Sequence, residues 1–132
     1  MKRYKLSRIQ LKEVKKYARI MAQKGAFEIC GLLIDNSVFL ELLLVKNASS
    51  KEGSFCFHPP QIRTIQNSVR ELNHEIVGTF HSHVAAPGIP GKSDIYNAVN
   101  DSLMLIIDVV GRKAKLWHIR DKKAKVVSYK LI

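Results

Sequence analysis

The chain has 132 residues, of which 46% are hydrophobic and 25% charged, and its formal net charge is +11. That size and balance fit one globular domain, residues 1–132, able to bury its own core. No stretch approaches the ~20 apolar residues of a membrane span, and no long apolar segment follows the charged start, so a cytoplasmic location is expected.

In chain order, Tyr4 to Leu6 reads as a short strand. Ser7 then caps a helix, and Gln10 completes a capping-box pattern. Leu11, Val14, Ala18 and Met21 recur at spacings of three and four, which makes this helix amphipathic. Gly25 closes it. Phe27 to Ile34 and Val38 to Val45 are apolar runs separated by Asp35-Asn36, which predicts a strand hairpin. Asn47 to Gly53 is a polar loop, and Ser54 to Phe57 a short strand. Pro59-Pro60 opens a second helix with Ile62, Ile65, Val69 and Leu72 on one face.

Glu75 to His83 is a strand, and the Pro- and Gly-containing stretch from Val84 to Lys92 a loop. Ser93-Asp94 starts a third helix, Ile95 to Asp101. Leu103 to Val110 reads as a strand buried on both faces. After a turn at Gly111-Arg112, two mixed apolar and basic strands are expected near a sheet edge, Lys115 to Arg120 and Lys125 to Leu131. Helices interspersed with strands, without strict βαβ alternation, predict an α/β (α+β) fold with a mixed sheet packed against helices.

The charge is unevenly placed. Residues 1–24 carry nine Lys/Arg against Glu13, residues 111–132 carry eight against Asp121, and the middle is net acidic. Such ends can attract an acidic protein or nucleic acid. The basic residues are not interleaved with stacking aromatics and no nucleic-acid motif is present, so a solubility surface is the simpler reading. Cys30 and Cys56 sit in apolar runs and read as buried, reduced thiols. The sequence leaves a disulfide between them open.

The chemistry concentrates at four positions. His81 and His83 are two apart on a strand, so both imidazoles face one way and can share a metal ion. Asp94 follows a turn-rich loop that can fold back to supply a third ligand. Two His and one Asp leave a position open for water, the arrangement of a catalytic zinc site. Glu28 lies inside an apolar run, where an unpaired carboxylate is costly, and it is the candidate general base. Each residue also has a plainer reading. His-X-His pairs occur incidentally, Asp94 can be a first-turn helix residue, and Glu28 can face solvent from an edge strand. His58 and His74 suit helix ends, His118 suits a basic edge strand, and Trp117 suits packing; none is expected to bind metal.

Taken together, Glu28-Ile29-Cys30-Gly31-Leu32-Leu33, Val77-Gly78-Thr79-Phe80-His81-Ser82-His83, and Asp94 eleven residues later resemble the JAMM metalloproteases of the MPN-domain family. The resemblance spans nearly the whole chain. It implies a curved mixed sheet flanked by helices, similar to cytidine deaminase. It implies one Zn²⁺ held by His81, His83 and Asp94, with Glu28 on the bound water. It also implies hydrolysis of amide or isopeptide bonds at the C-terminus of ubiquitin-like or sulfur-carrier proteins. The substrate tail would add to a sheet edge, between loops Asn47–Gly53 and Ala85–Pro90. Two positions depart from the family pattern. Val84 replaces a proline. Gly91 replaces the serine associated with the oxyanion, and loss of such a donor typically costs about 10²–10³ in rate. The Gly91 or Lys92 backbone, or the Lys92 side chain, could substitute; Ser93 points elsewhere. An inactive binding scaffold is the alternative function.

Overall fold

A computed structural model describes residues 3–25, 27–49 and 57–132. Its strands are β1 (Tyr4–Leu6), β2 (Cys30–Asp35), β3 (Leu40–Val45), β4 (Glu75–His83), β5 (Ser102–Asp108), β6 (Lys113–Arg120), β7 (Lys123–Val127) and β8 (Tyr129–Leu131). Its helices are α1 (Arg8–Gly25), α2 (Pro59–Glu71) and α3 (Lys92–Asn97). The strands form one mixed sheet in the order β7-β6-β5-β4-β2-β3-β1-β8. The mixed α/β architecture expected from the sequence is the one observed.

The two ends of this sheet explain its curvature. β7 and β8 are separated only by Ser128, yet they occupy opposite edges. One residue spans only about 3.8 Å between neighbouring Cα atoms, so the edges must approach each other and the sheet must curl. The Tyr129 hydroxyl donates to the Ala114 carbonyl at 2.7 Å, tying β8 to β6 across that closure. The expected strand Lys125–Leu131 is therefore two strands, because the chain changes partners at Ser128. β6 lies between β5 and β7, one strand in from the β7 edge, so the expected placement near a sheet edge holds.

Helix α1 fills the concave side. Leu11, Val14 and Ala18 pack with Leu6, Leu33, Phe80, Leu105 and Leu116. Ser7 caps it by accepting from the Gln10 N–H at 3.2 Å. The capping box is only half formed, since the Gln10 side chain instead accepts from the Leu42 N–H at 2.8 Å. On the other face, α2 covers Cys30, Leu32, Ile34 and Val45 through Val69, Ile62 and Ile65. A further cluster there joins Met104, Ile106 and Ile119 to Ile95, Ala98 and Trp117.

Other boundaries differ from expectation in physically clear ways. α3 begins two residues before Asp94 and stops at Asn97, because Ala98 is extended at φ −72°, ψ 145°. Asp101 lies in a turn with φ 61°. β5 ends at Asp108, whose carboxylate accepts from the Gly111 N–H at 2.8 Å and closes the turn. His58 occupies the N-cap position of α2 without a side-chain cap bond, and His74 lies beyond the helix end. Phe57 is not in a strand; the rest of the predicted strand Ser54–Phe57 lies outside the described residues, as do Cys56 and positions 50–53 of the polar loop. Cys30 is buried.

β4 lies at the centre of the sheet, antiparallel to β2 and parallel to β5. Gly78 allows this close packing: a Cβ there would sit 1.9 Å from the Leu103 carbonyl oxygen. Gly78→Ala should therefore destabilise the protein by about 3 kcal/mol or more. A Cβ at Gly91 would meet only the Asp94 carboxylate, at 3.5 Å. Gly91→Ala should cost less than about 1 kcal/mol. Paired denaturant titrations check the contrast.

Candidate metal centre

The end of β4 carries His81 and His83. Side chains alternate along a strand, so Phe80 enters the α1 side while both histidines face away from it. They stand between the cluster under α2 and the cluster beside α3. His81 is fully buried and His83 is 8% exposed. The loop after β4 returns the chain to the same point, and α3 presents Asp94 from its first turn. The Asp94 Oδ2 atom lies 3.4 Å from the Nε2 atoms of both His81 and His83. Those two nitrogens are 3.0 Å apart.

Three bonds hold the loop in this shape. The Trp117 indole N–H donates to the Gly88 carbonyl at 2.9 Å. The His83 Nδ1 atom is 2.7 Å from the Pro87 carbonyl oxygen. An acceptor there keeps the proton on Nδ1 and leaves the Nε2 lone pair aimed at the triangle. The Gly91 N–H donates to Asp94 Oδ2 at 2.8 Å. Asp94 is thus both a helix-terminal residue and a member of the cluster, so the two readings of it are compatible. Sequence reasoning assigned Trp117 to packing alone; its partner lies 29 residues away, beyond any local pattern.

The triangle fits a small tetrahedral cation. Two imidazole nitrogens 3.0 Å apart carry facing lone pairs unless a proton or a metal ion sits between them. Zinc with bonds of about 2.0–2.1 Å has ligand-to-ligand edges of about 3.3 Å, close to the three separations observed. The ligand atoms of His81, His83 and Asp94 all fall within 4.8 Å of one another, and this is the sole such group of three His, Cys, Asp or Glu among the described residues. Two nitrogens and one oxygen suit zinc better than calcium or magnesium, which prefer all-oxygen shells.

Glu28 completes the site, though not from within a strand. β2 begins at Cys30, and Glu28 lies just before it. Ile29 packs in the α1-side core, which turns Glu28 toward the histidine face. The residue as a whole is 8% exposed. Burial pushes its pKa up to about 7; the His83 charge opposes the rise and the Asp94 charge adds to it. The Asn47 side-chain amide donates to the Glu28 carbonyl at 2.9 Å.

The other three groups divide by environment. Burial holds the His81 imidazole below its ordinary value, against the pull of Asp94. The hydrogen bond to Asp94 raises His83, against burial and with help from the Pro87 carbonyl. Burial alone would raise Asp94, but both histidines and the Gly91 N–H together hold it well below the usual carboxylate range.

The raised Glu28 value carries a stability consequence for the metal-free protein. Its folded pKa lies above the ordinary value of 4.5, so the folded state resists ionisation and becomes less stable as pH rises from about 4.5 through 7. Metal-free Glu28→Gln should match wild type near pH 4.5 and exceed it at pH 8 by up to about 3 kcal/mol. Denaturant midpoints at the two pH values measure this directly.

The remaining candidates are placed less decisively. Gly91, Lys92 and Ser93 are exposed at the start of α3. The Gly91 N–H is committed to Asp94, so it does not serve as a free oxyanion donor in this arrangement. His118 pairs with Asp101 at 2.6 Å, and His74 approaches Glu41 at 4.0 Å. Neither reaches the cluster.

With this geometry in place, comparison with known proteins identifies the lineage. The family described as prokaryotic homologs of the JAB domain matches residues 14–121. The chain belongs to the prokaryotic JAB-domain family. This JAB-domain chain is 26% identical over 114 residues to a desampylase from Pyrococcus furiosus, covering 85% of the chain and 80% of that protein. A solution structure from Desulfitobacterium hafniense aligns with TM-score 0.81 at 23% identity, covering 98% of this chain and 92% of that one. The crystal structure of a JAB1/MPN domain protein from Archaeoglobus fulgidus aligns with TM-score 0.62 at 17% identity, covering 98% of both chains. The JAB1/MPN fold is thereby shown for this chain. Among the described residues, no helix is long and apolar enough to cross a membrane.

Proposed function

We propose that this JAB-domain chain is a zinc-dependent isopeptidase acting in the cytoplasm on amide or isopeptide bonds at the C-terminus of a ubiquitin-like or sulfur-carrier protein. The observation that carries this reading is the convergence of His81, His83 and Asp94 with a buried carboxyl, Glu28, beside them. The family and the desampylase relative support the reaction type and the ubiquitin-like substrate class.

His81, His83 and Asp94 would hold the metal. Bound there, zinc would supply Lewis-acid activation of water and of the scissile carbonyl. Glu28 takes the proton from the attacking water and returns it to the leaving amine. A carboxyl whose pKa lies near 7 is matched to both transfers. The Pro87 carbonyl fixes the His83 ring. A cleft of about 370 Å³ opens beside Glu28, lined by Tyr17, Met21, Phe27, Val45 and Asn47. A second cleft, lined by His58 and Gln61, shares Lys46 and Asn47 with the first; the loop after β3 borders both, whereas residues 85–90 line neither.

The test is incubation of zinc-loaded protein with linear and lysine-linked fusions of a ubiquitin-like carrier. Zinc-dependent release of the carrier is expected. One zinc per chain with no cleavage of either fusion would favour the second reading, a binding scaffold. That reading draws on the committed Gly91 N–H, which leaves the position of the missing serine without a free donor.

A further inference from the structure

Ser82 separates the two histidines in sequence but faces the opposite side of the sheet. It is fully buried. Its backbone N–H donates to the Ile29 carbonyl at 3.0 Å. Its hydroxyl accepts from the Ile29 N–H at 2.9 Å. In a regular antiparallel ladder, facing residues exchange two backbone bonds. Here the return bond goes to the Ser82 side chain rather than to its carbonyl. The ladder therefore ends at this rung, and regular pairing starts one residue later, at Cys30↔His81.

This substitution has a geometric consequence for Glu28. A continuous ladder would hold the preceding segment flat against β4. The hydroxyl latch instead fixes Ile29 while releasing the chain before it, and Asn47 takes the Glu28 carbonyl at 2.9 Å. The peptide group that joins Glu28 to Ile29 is thus held at both ends, its carbonyl by the Asn47 amide and its N–H by the Ser82 hydroxyl. The same strand end that carries the imidazoles sets the position of the carboxyl.

We propose that Ser82 is a positioning residue that registers Glu28 against the His81–His83–Asp94 cluster through the Ile29 amide. This rests on the isopeptidase reading for its catalytic effect, but not for its structural effect. Displacing a catalytic group by about 1 Å can cost roughly 10²-fold in rate. Removing the hydroxyl should therefore lower kcat without weakening metal binding.

The experiment compares wild type, Ser82→Ala and Ser82→Thr. Zinc content, kcat and KM on a lysine-linked fusion are measured. Hydrogen exchange of the Ile29 amide is followed by NMR, together with the zinc-induced shift of the ¹³C-labelled Glu28 carboxyl, assigned with Glu28→Gln. Ser82→Ala should bind one zinc, lose roughly 10- to 100-fold in kcat at unchanged KM, exchange the Ile29 amide faster, and show a diminished Glu28 shift. Ser82→Thr keeps the hydroxyl and should restore all of these. Wild-type kcat and a wild-type Glu28 shift in Ser82→Ala would overturn the proposal. Loss of zinc from Ser82→Ala would also overturn it, because the role would then lie with the histidines. If wild type cleaves no fusion, the isopeptidase reading fails alone and the Glu28 shift still decides. If the extra methyl of Ser82→Thr prevents folding, the Ser82→Ala measurements decide.

Discussion

Glu28→Gln should lower kcat on a lysine-linked fusion by about 10³–10⁴-fold while leaving one zinc bound per chain. The amide keeps the size of the carboxyl and cannot accept a proton, so the substitution isolates the general-base step. General acid–base catalysis contributes about 10²–10⁴-fold, and Glu28 is assigned both halves of the proton transfer, which places the effect at the upper end. Its burial beside His83 and Asp94 leaves little room for bulk water to take over. KM should change little, because the Glu28 side chain is assigned to proton transfer rather than to substrate binding. Wild-type turnover by the zinc-loaded variant, measured at saturating substrate, would remove Glu28 from the mechanism.

Removing a ligand should abolish stoichiometric zinc and the stability that comes with it. Zinc at about 100 times its dissociation constant adds roughly 2.7 kcal/mol to the folded state. For a chain of this length that is a rise in Tm of about 10 °C. His83→Ala and Asp94→Asn should each lose that rise. Asp94→Asn is the more informative variant, since its amide oxygen can still accept from the Gly91 N–H and hold α3 in place. Its Tm should be insensitive to zinc and to chelator alike, whereas wild type should fall on chelation. Calorimetric scans with and without zinc distinguish the variants, and a wild-type response in Asp94→Asn would exclude the carboxylate as a ligand.

The parts of this molecule legible in the sequence are those set by short spacings. The two-residue step from His81 to His83 fixes a shared face on any strand. The Pro59-Pro60 pair fixes the start of α2. The Leu11, Val14, Ala18 spacing fixes the buried stripe of α1. What the sequence concealed depends on contacts between distant residues. Nothing local at Ser128 announces that the chain leaves one sheet edge for the other; closure of the curled sheet decides that. Glu28 reads as part of an apolar strand, but the Ser82 hydroxyl takes its neighbour's N–H and ends the ladder first. Trp117 reads as a packing residue because its acceptor at Gly88 enters only when the loop folds over β6. The half-formed capping box at Ser7 has the same origin, a long-range bond from Leu42 capturing the Gln10 side chain.

The convergence of three side chains on one cation is the claim from which the rest follows. X-ray absorption at the zinc edge on the purified, zinc-loaded chain tests it most directly, with His83→Ala measured alongside. One zinc per chain should be found, with two imidazole nitrogens and one carboxylate oxygen at about 2.0–2.2 Å, and with an imidazole signal lost in the variant. A wild-type protein that takes up no zinc, or a spectrum unchanged by His83→Ala, would contradict it.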